Sequence, residues 1–217
     1  KFVSPRKMFN NKYAHRASAS KTMRHAYGKL AKLIKKKYKP KSILEIGSND
    51  GVFLKHFKKI KNLGVEPCKN LAKITNSIGI KTYDRFWSMK LSNKIINQNN
   101  RFDVIYSANT ISHIHNLSET FSAISNSLND KGIFILEDPS LMETIMQNSY
   151  DQFYDEHAYV FSVIALKNIT KKSGLEIFKI EKLKTYGGSN RIYFKKSSNK
   201  KIKISKEVFK HIINEKK

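Results

Sequence analysis

Leu44-Glu45-Ile46-Gly47-Ser48-Asn49-Asp50-Gly51 is the stretch from which the rest of this chain can be read. Ser42 to Ile46 has the apolar character of a short buried strand, Gly47 to Gly51 that of a turn, and Val52 to Lys59 that of a helix carrying Phe53, Leu54 and Phe57 on one side. A strand that enters a helix through a glycine turn is a ligand cradle, because glycine admits positive φ and lets a ligand approach the backbone. The pattern differs from the dinucleotide fingerprint G-x-G-x-x-G: three residues separate the two glycines and no third follows. Asp50 places a carboxylate near the expected helix start, which suits a cationic amino group better than a pyrophosphate.

Working outward, the next strand is expected from about 62 to 66 and ends in Gly64-Val65-Glu66-Pro67. An acidic side chain at the end of a second strand, about twenty residues after the glycine turn, is placed to accept hydrogen bonds from ribose hydroxyls. Together the two features indicate an adenosine-containing ligand without a pyrophosphate. The plainer alternative is a tight turn followed by a surface glutamate. Beyond this unit, helices are expected over 69–77, 117–128, 141–147 and 163–172, and strands over 80–83, 102–108, 132–137, 175–181 and 190–195, the last two forming an antiparallel pair joined through Gly187 and Gly188. A leading helix over about 20–38 carries Met23, Tyr27, Leu30, Leu33 and Ile34 at helical spacing, and Pro40 stops it. Alternation of strand and helix periods defines an α/β class.

Composition bounds the rest. With 217 residues, 40% of them hydrophobic, the chain suits one α/β domain with a full core. The single cysteine, Cys68, excludes an internal disulfide and a cysteine-rich zinc site. The start lacks a secretory signal core and no apolar run reaches membrane-spanning length, so a cytoplasmic protein without a membrane partner is expected. A net charge of +25 would suit a nucleic acid, an anionic membrane surface or a phosphate-bearing substrate, but the lysines are spread over nearly every segment among many Asn and Ile, as a general composition bias would spread them. Nucleic-acid binding is therefore not expected. A start at Lys1 and a lysine-rich close lead us to expect a piece of a longer protein.

Several stretches together resemble one family: Glu45 to Gly51, Gly64 to Pro67, Ser107-Ala108-Asn109, His113-Ile114, Tyr154-Asp155-Glu156-His157 and Tyr186-Gly187-Gly188-Ser189-Asn190-Arg191. In that order, over roughly residues 10 to 195, they are similar to the S-adenosylmethionine-dependent sugar C-methyltransferases that act on nucleotide-linked keto-deoxysugars. The resemblance implies a class I methyltransferase core, a Rossmann-like α/β sheet of seven strands in the order 3-2-1-4-5-7-6 with the last strand antiparallel. It also implies S-adenosylmethionine as cofactor and carbon methylation next to a ketone. Residues 1–40 would be a helical lead-in, 41–196 the methyltransferase domain and 197–217 the start of a C-terminal region; family members also carry an N-terminal cysteine-rich zinc module. Departures are Asp155 and Tyr186, where many members have His, and His15, where many have Tyr. They bear on the substrate more than on the chemistry.

Carried over by the resemblance, the cofactor contacts would be Glu45, Gly47, Ser48, Asn49, Asp50, Gly51, Glu66, Pro67 and Asn109. The catalytic set would be His157 as base, with Tyr154, Glu156 and His113 around it, and Tyr13, Ser189 and Arg191 would meet the substrate. The chemistry asks for such a set. A carbon beside a ketone becomes a nucleophile once its proton is removed, and histidine, with an ordinary pKa of about 6.5, suits a base near neutral pH. Glu156 or Asp155 would orient the ring, while Tyr154 or His113 would donate to the developing oxyanion. Phe86 and Trp87 would flank the adenine or belong to the core. His113 and His115 alternate as metal ligands can, but no third ligand has supporting spacing, so no metal is expected. Alternative readings are methylation of RNA or another small molecule, and a cofactor-binding domain without catalysis.

Overall fold

The computed structural model describes residues 3–183 and 188–216. Its centre is a sheet of seven strands: β1 (Ser42–Ile46), β2 (Lys61–Val65), β3 (Thr82–Tyr83), β4 (Phe102–Ala108), β5 (Leu128–Pro139), β6 (Leu175–Leu183) and β7 (Ser189–Lys196). Their order is β3-β2-β1-β4-β5-β7-β6, and β7 runs antiparallel to both of its neighbours. This is the order expected for a class I methyltransferase sheet.

Alternation along the strands builds two cores. Leu44, Ile105, Phe134, Leu136 and Phe194 point to one face, where α4 (Met89–Asn99), α5 (Leu117–Ser127), α7 (Val163–Lys171) and α8 (Lys206–Glu215) add Ile95, Phe121, Leu166 and Val208. Ile43, Val104, Tyr106, Ile135 and Tyr193 point to the other, under α2 (Lys21–Tyr38). Strands covered on both faces carry near-continuous apolar runs, as β4 and β5 do. Helix α2 starts where the Ser20 hydroxyl accepts from the Met23 amide at 3.2 Å and ends at Lys39 in the left-handed region before Pro40. It buries Tyr27, Leu30 and Ile34, and each aliphatic residue so buried contributes about 1.5–3 kcal/mol. Among the described residues no helix is long and apolar enough to cross a membrane.

Three elements differ from the sequence reading. The helix expected over 52–59 is a series of turns with a single 3-10 turn, Leu54–Phe57. Val52, Phe53 and Leu54 are all buried, and three consecutive residues span roughly 200° of a helix, more than one packed side can cover. The polar stretch after β3 forms α4, capped where the Ser88 hydroxyl accepts from the Leu91 amide at 3.2 Å and seated by Leu91 and Ile95. The lysine-rich tail forms α8, whose Glu215 carboxylate accepts from the amides of Val163 and Ile164 at 2.8 and 2.9 Å, capping the start of α7. The remaining helices, α1 (Pro5–Met8), α3 (Lys69–Ser77) and α6 (Leu141–Met146), are short.

Candidate active site

The glycine turn lies at the carboxyl end of β1, whose last residue, Ile46, pairs with Val65 of β2 on one side and Ser107 of β4 on the other. The strand order reverses between β1 and β4, and a crevice opens there at the carboxyl ends. Gly47, Asn49 and Gly51 all have positive φ. At Gly47 the requirement is double, since a Cβ would also collide with the Thr110 side chain from the loop after β4. The turn is pinned from below, where the amides of Gly47 and Ser48 donate to Val65 O at 2.8 and 3.1 Å.

Glu66 holds this turn to the next helix. Its Oε2 accepts from the Asn49 amide at 2.8 Å and its Oε1 from the Cys68 amide at 2.9 Å, with the Cys68 thiol as a third donor, so of the carboxylate's roughly four acceptor sites about one is left. Burial raises its pKa and the two amides oppose that shift. Two more buried carboxyls stand nearby. Glu45 is pushed well up by burial and by Glu66 and Asp50, and its Oε2 has no partner. Asp50 accepts from the Ser18 amide at 3.2 Å through Oδ2, while its Oδ1 has none.

A cavity of about 770 Å³ fills the crevice. Gly47, Asn49, Glu66, Pro67 and Asn109 line it, as do Phe86 and Trp87. Glu45, Ser48, Asp50 and Gly51 do not; they stand behind the wall and shape the turn. Trp87 also donates its indole N–H to Thr120 O at 3.3 Å, so it is fixed in the core while presenting to the cavity.

The same cavity gathers most of the expected catalytic residues. His113, Tyr154, Glu156 and Tyr13 line it, and His157 stands just behind, 5.0 Å ring to ring from His113 and 4.1 Å from Tyr154. His157 Nδ1 meets Gln152 O at 2.8 Å, and a carbonyl only accepts, so Nδ1 carries the proton of the neutral ring. Nε2 is then an acceptor, 3.0 Å from the Tyr154 hydroxyl. Burial lowers the His157 pKa below 6.5 and the neighbouring His113 lowers it further, against the Gln152 bond and Glu156. His113 touches Glu156 O at 2.6 Å and Asn109 O at 2.9 Å. Both partners are carbonyls and the neutral ring has a single N–H for the two of them; the ring bridges its own loop and the loop that carries Glu156. The Tyr13 hydroxyl donates to Glu156 Oε2 at 3.3 Å, and burial together with that carboxylate raises its pKa.

Ser189 and Arg191 lie elsewhere, on β7. Ser189 is buried in the sheet opposite Pro139 and Leu183. Arg191 donates to Glu137 Oε1 at 2.6 Å and to Glu181 Oε2 at 3.2 Å, forming a part-buried ion-pair cluster outside the cavity lining. Tyr186 and Gly187 fall outside the described residues.

Apart from Tyr13, the sequence reading missed the roof. Residues 4–17 lie across the cavity and contribute Arg6, Phe9, His15 and Ala17. Phe9 packs on His113 at 5.2 Å, Asn70 Nδ2 donates to Tyr13 O at 2.8 Å, and Asn49 both donates to His15 O and accepts from the Ala17 amide. The motif asparagine therefore straps the roof to the glycine turn. No spacing in residues 4–17 signals this, since the segment is neither strand-like nor helix-like in period.

Sheet order and crevice define a class I methyltransferase fold. A methyltransferase-domain family model matches residues 13–180, and the chain belongs to that family. It is 28% identical over 149 residues to the C-methyltransferase NovU of Streptomyces niveus, an alignment covering 68% of this chain and 36% of NovU, so the chain spans about a third of the length of that relative. Among solved structures, the PH0226 protein of Pyrococcus horikoshii OT3 matches with a TM-score of 0.63 at 16% identity over 82% of this chain and 92% of its own. An S-adenosylmethionine-dependent methyltransferase of Clostridium acetobutylicum matches at 0.55 and 18% identity over 78% and 98%. Magnesium protoporphyrin IX methyltransferase of Synechocystis with bound SAH matches at 0.58 and 11% identity over 79% and 82%.

Proposed function

We propose that this domain binds S-adenosylmethionine and methylates a carbon next to a ketone in a nucleotide-linked deoxysugar. The observation that carries the reading is one cavity that brings together two chemically different sets of groups. One is the Glu66 carboxylate, placed to accept from ribose hydroxyls; the other is the cavity-lining Tyr154 hydroxyl, met from behind by the acceptor nitrogen of a neutral His157 ring. A base paired with a hydroxyl suits an acceptor that must lose a proton before it can attack the methyl group, and a carbon next to a ketone is such an acceptor. The partial similarity to a C-methyltransferase supports the same reading.

The lining fits the cofactor: Glu66 keeps an acceptor site beyond the bonds it makes to Asn49 and Cys68, and Gly47, with no side chain, presents its backbone to the cavity. Bound there, S-adenosylmethionine supplies a sulfonium-activated methyl group. The chain's own residues supply the rest. The Tyr154 oxygen takes the proton from the carbon as its own proton passes to His157 Nε2, so the carbon gains the electron pair of its C–H bond and the charge spreads to the ketone oxygen. Gln152 O holds the ring so that Nε2 points to Tyr154. The Tyr13 hydroxyl, now on Glu156, is the nearby donor for the enolate oxygen, and the 4–17 roof keeps water from that oxygen. The experiment is incubation with methyl-labelled S-adenosylmethionine and a nucleoside-diphosphate keto-deoxysugar. Label is expected on the carbon next to the ketone; label on oxygen, or none with this acceptor but turnover of an RNA, would overturn the reading.

A further inference from the structure

One buried carboxyl beside the site has no place in the chemistry above. Asp138, at the carboxyl end of β5 just past the Ala108–Glu137 pairing, is 3% exposed and lies outside the cavity lining. Its Oδ1 accepts the Ser112 hydroxyl at 2.9 Å, and its Oδ2 has no partner. Ser112 sits in the 3-10 turn Ile111–His113 after β4, itself 1% exposed.

What Ser112 does with its backbone makes the contact matter. Its carbonyl accepts from the amides of Ala158 at 2.9 Å and Tyr159 at 3.1 Å, the two residues that follow His157. The next residue, His113, takes Glu156 O at 2.6 Å, on the other side of His157. The dipeptide Ser112-His113 thus grips the His157 loop on both sides, and within the dipeptide the side chain of Ser112 is tied to the sheet by Asp138. The other ties of segment 153–159 include the Tyr13 bond to Glu156 and the Tyr159 hydroxyl, which donates to His115 O at 2.8 Å, while Phe153 and Tyr154 are 58% and 48% exposed.

We propose that Asp138 is a positioning residue, acting through the Ser112 hydroxyl to hold the turn on which the His157 loop is seated. It touches neither acceptor nor cofactor; it fixes where Nε2 and the Tyr154 hydroxyl stand relative to the cavity. Burial pushes its carboxyl up to about 7 despite the Ser112 bonds, so the carboxyl is held at a cost that an apolar residue would not bear. Asn190, its cross-strand partner, is equally buried, and among the described residues no cationic side chain pairs with Asp138. The inference rests on the proposed role of His157 for its kinetic part only.

The test compares Ser112→Ala, Asp138→Ala and Asp138→Asn in the 217-residue chain, each checked for its fold by circular dichroism. An amide oxygen at position 138 still accepts from Ser112, so Asp138→Asn is expected to behave like the wild type. In Ser112→Ala and Asp138→Ala a displacement of the loop by about an ångström should lower the rate of proton removal tenfold to a hundredfold, with S-adenosylmethionine affinity unchanged. The second readout needs no substrate. In ring-labelled protein the NMR titration of His157, held below 6.5 by burial, should move back toward 6.5 in the two alanine variants and stay in place in Asp138→Asn. Wild-type rates and an unmoved His157 titration in folded Ser112→Ala overturn the proposal, and this variant decides if Asp138→Ala does not fold. A moved titration in a protein that turns over no keto-sugar upholds the positioning role and rejects the acceptor instead.

Discussion

Removing the Glu66 carboxylate separates two of its tasks. In the free protein it accepts the Asn49 and Cys68 amides at 2.8 and 2.9 Å, and these are 5%-exposed contacts, so Glu66→Ala leaves two donors poorly satisfied. Each such loss costs about 1–3 kcal/mol, and a drop in Tm of roughly 2–4 °C per kcal/mol follows for a chain of this size. The cofactor loses separately. A charge-assisted hydrogen bond to a ribose hydroxyl contributes about 1.5–3 kcal/mol, which is tenfold to more than a hundredfold in Kd. Burial raises the Glu66 pKa, so the sign of its linkage is fixed: the folded state holds the proton more tightly, and stability from this group is present at low pH and lost as pH rises through the folded pKa. The ionised form, which accepts best from hydroxyls, is thus the one the fold tolerates least. Titration calorimetry with S-adenosylmethionine and with its demethylated product, at temperatures where Glu66→Ala is folded, should show both Kd values raised by tenfold or more. An unchanged Kd in folded protein would refute Glu66 as the ribose acceptor and leave it only the task of holding the turn.

Two further variants probe groups behind the cavity. Glu45 is fully buried with Oε2 unpartnered and a strongly raised pKa, so the wild type should lose stability as pH rises through that value; Glu45→Gln removes the titration, and its denaturant midpoint should vary less between pH 5 and 8, while an identical pH profile would show that Glu45 is not the group responsible. Arg191→Ala strands Glu137, which is 8% exposed, and should cost about 3–5 kcal/mol in denaturant unfolding while leaving cofactor affinity intact; a stable variant with weakened acceptor binding would restore Arg191 to the substrate site.

Much of the fold was legible because parallel strands and glycine turns leave strong local marks. Residues 42–46, 69–77 and 102–108 are the elements the periods indicate, to the residue. Helix α4 is hard to read because Met89, Leu91, Ile95 and Ile96 are scattered among Lys, Ser, Asn and Gln, with only Leu91 and Ile95 of its aliphatic residues buried, and α8 because lysines dilute its apolar side. Segment 52–59 misled in the opposite way: its apolar residues are continuous because they are enclosed all round, not because one helical side is packed. At the site, motif residues fall into two groups that spacing cannot distinguish. Gly47, Asn49 and Glu66 meet the cavity, whereas Asp50, one residue from Asn49, turns away to hold Ser18. Which side a turn residue faces depends on φ at Gly47 and Asn49, and on the roof of residues 4–17 packing against them, both of which are tertiary facts.

The measurement that tests the account most directly is exchange of the proton next to the ketone with solvent deuterium, followed by NMR on the nucleotide-linked keto-deoxysugar bound with the demethylated cofactor, so that no methyl transfer competes. Wild-type protein should exchange that position with an acid-side midpoint below 6.5, where burial holds the His157 ring. His157→Asn should lower the exchange rate about a hundredfold to ten-thousandfold while binding the cofactor as before. Exchange at the wild-type rate in His157→Asn would contradict the assignment of His157 as the proton acceptor, and the absence of exchange in the wild type would contradict carbon methylation of this acceptor.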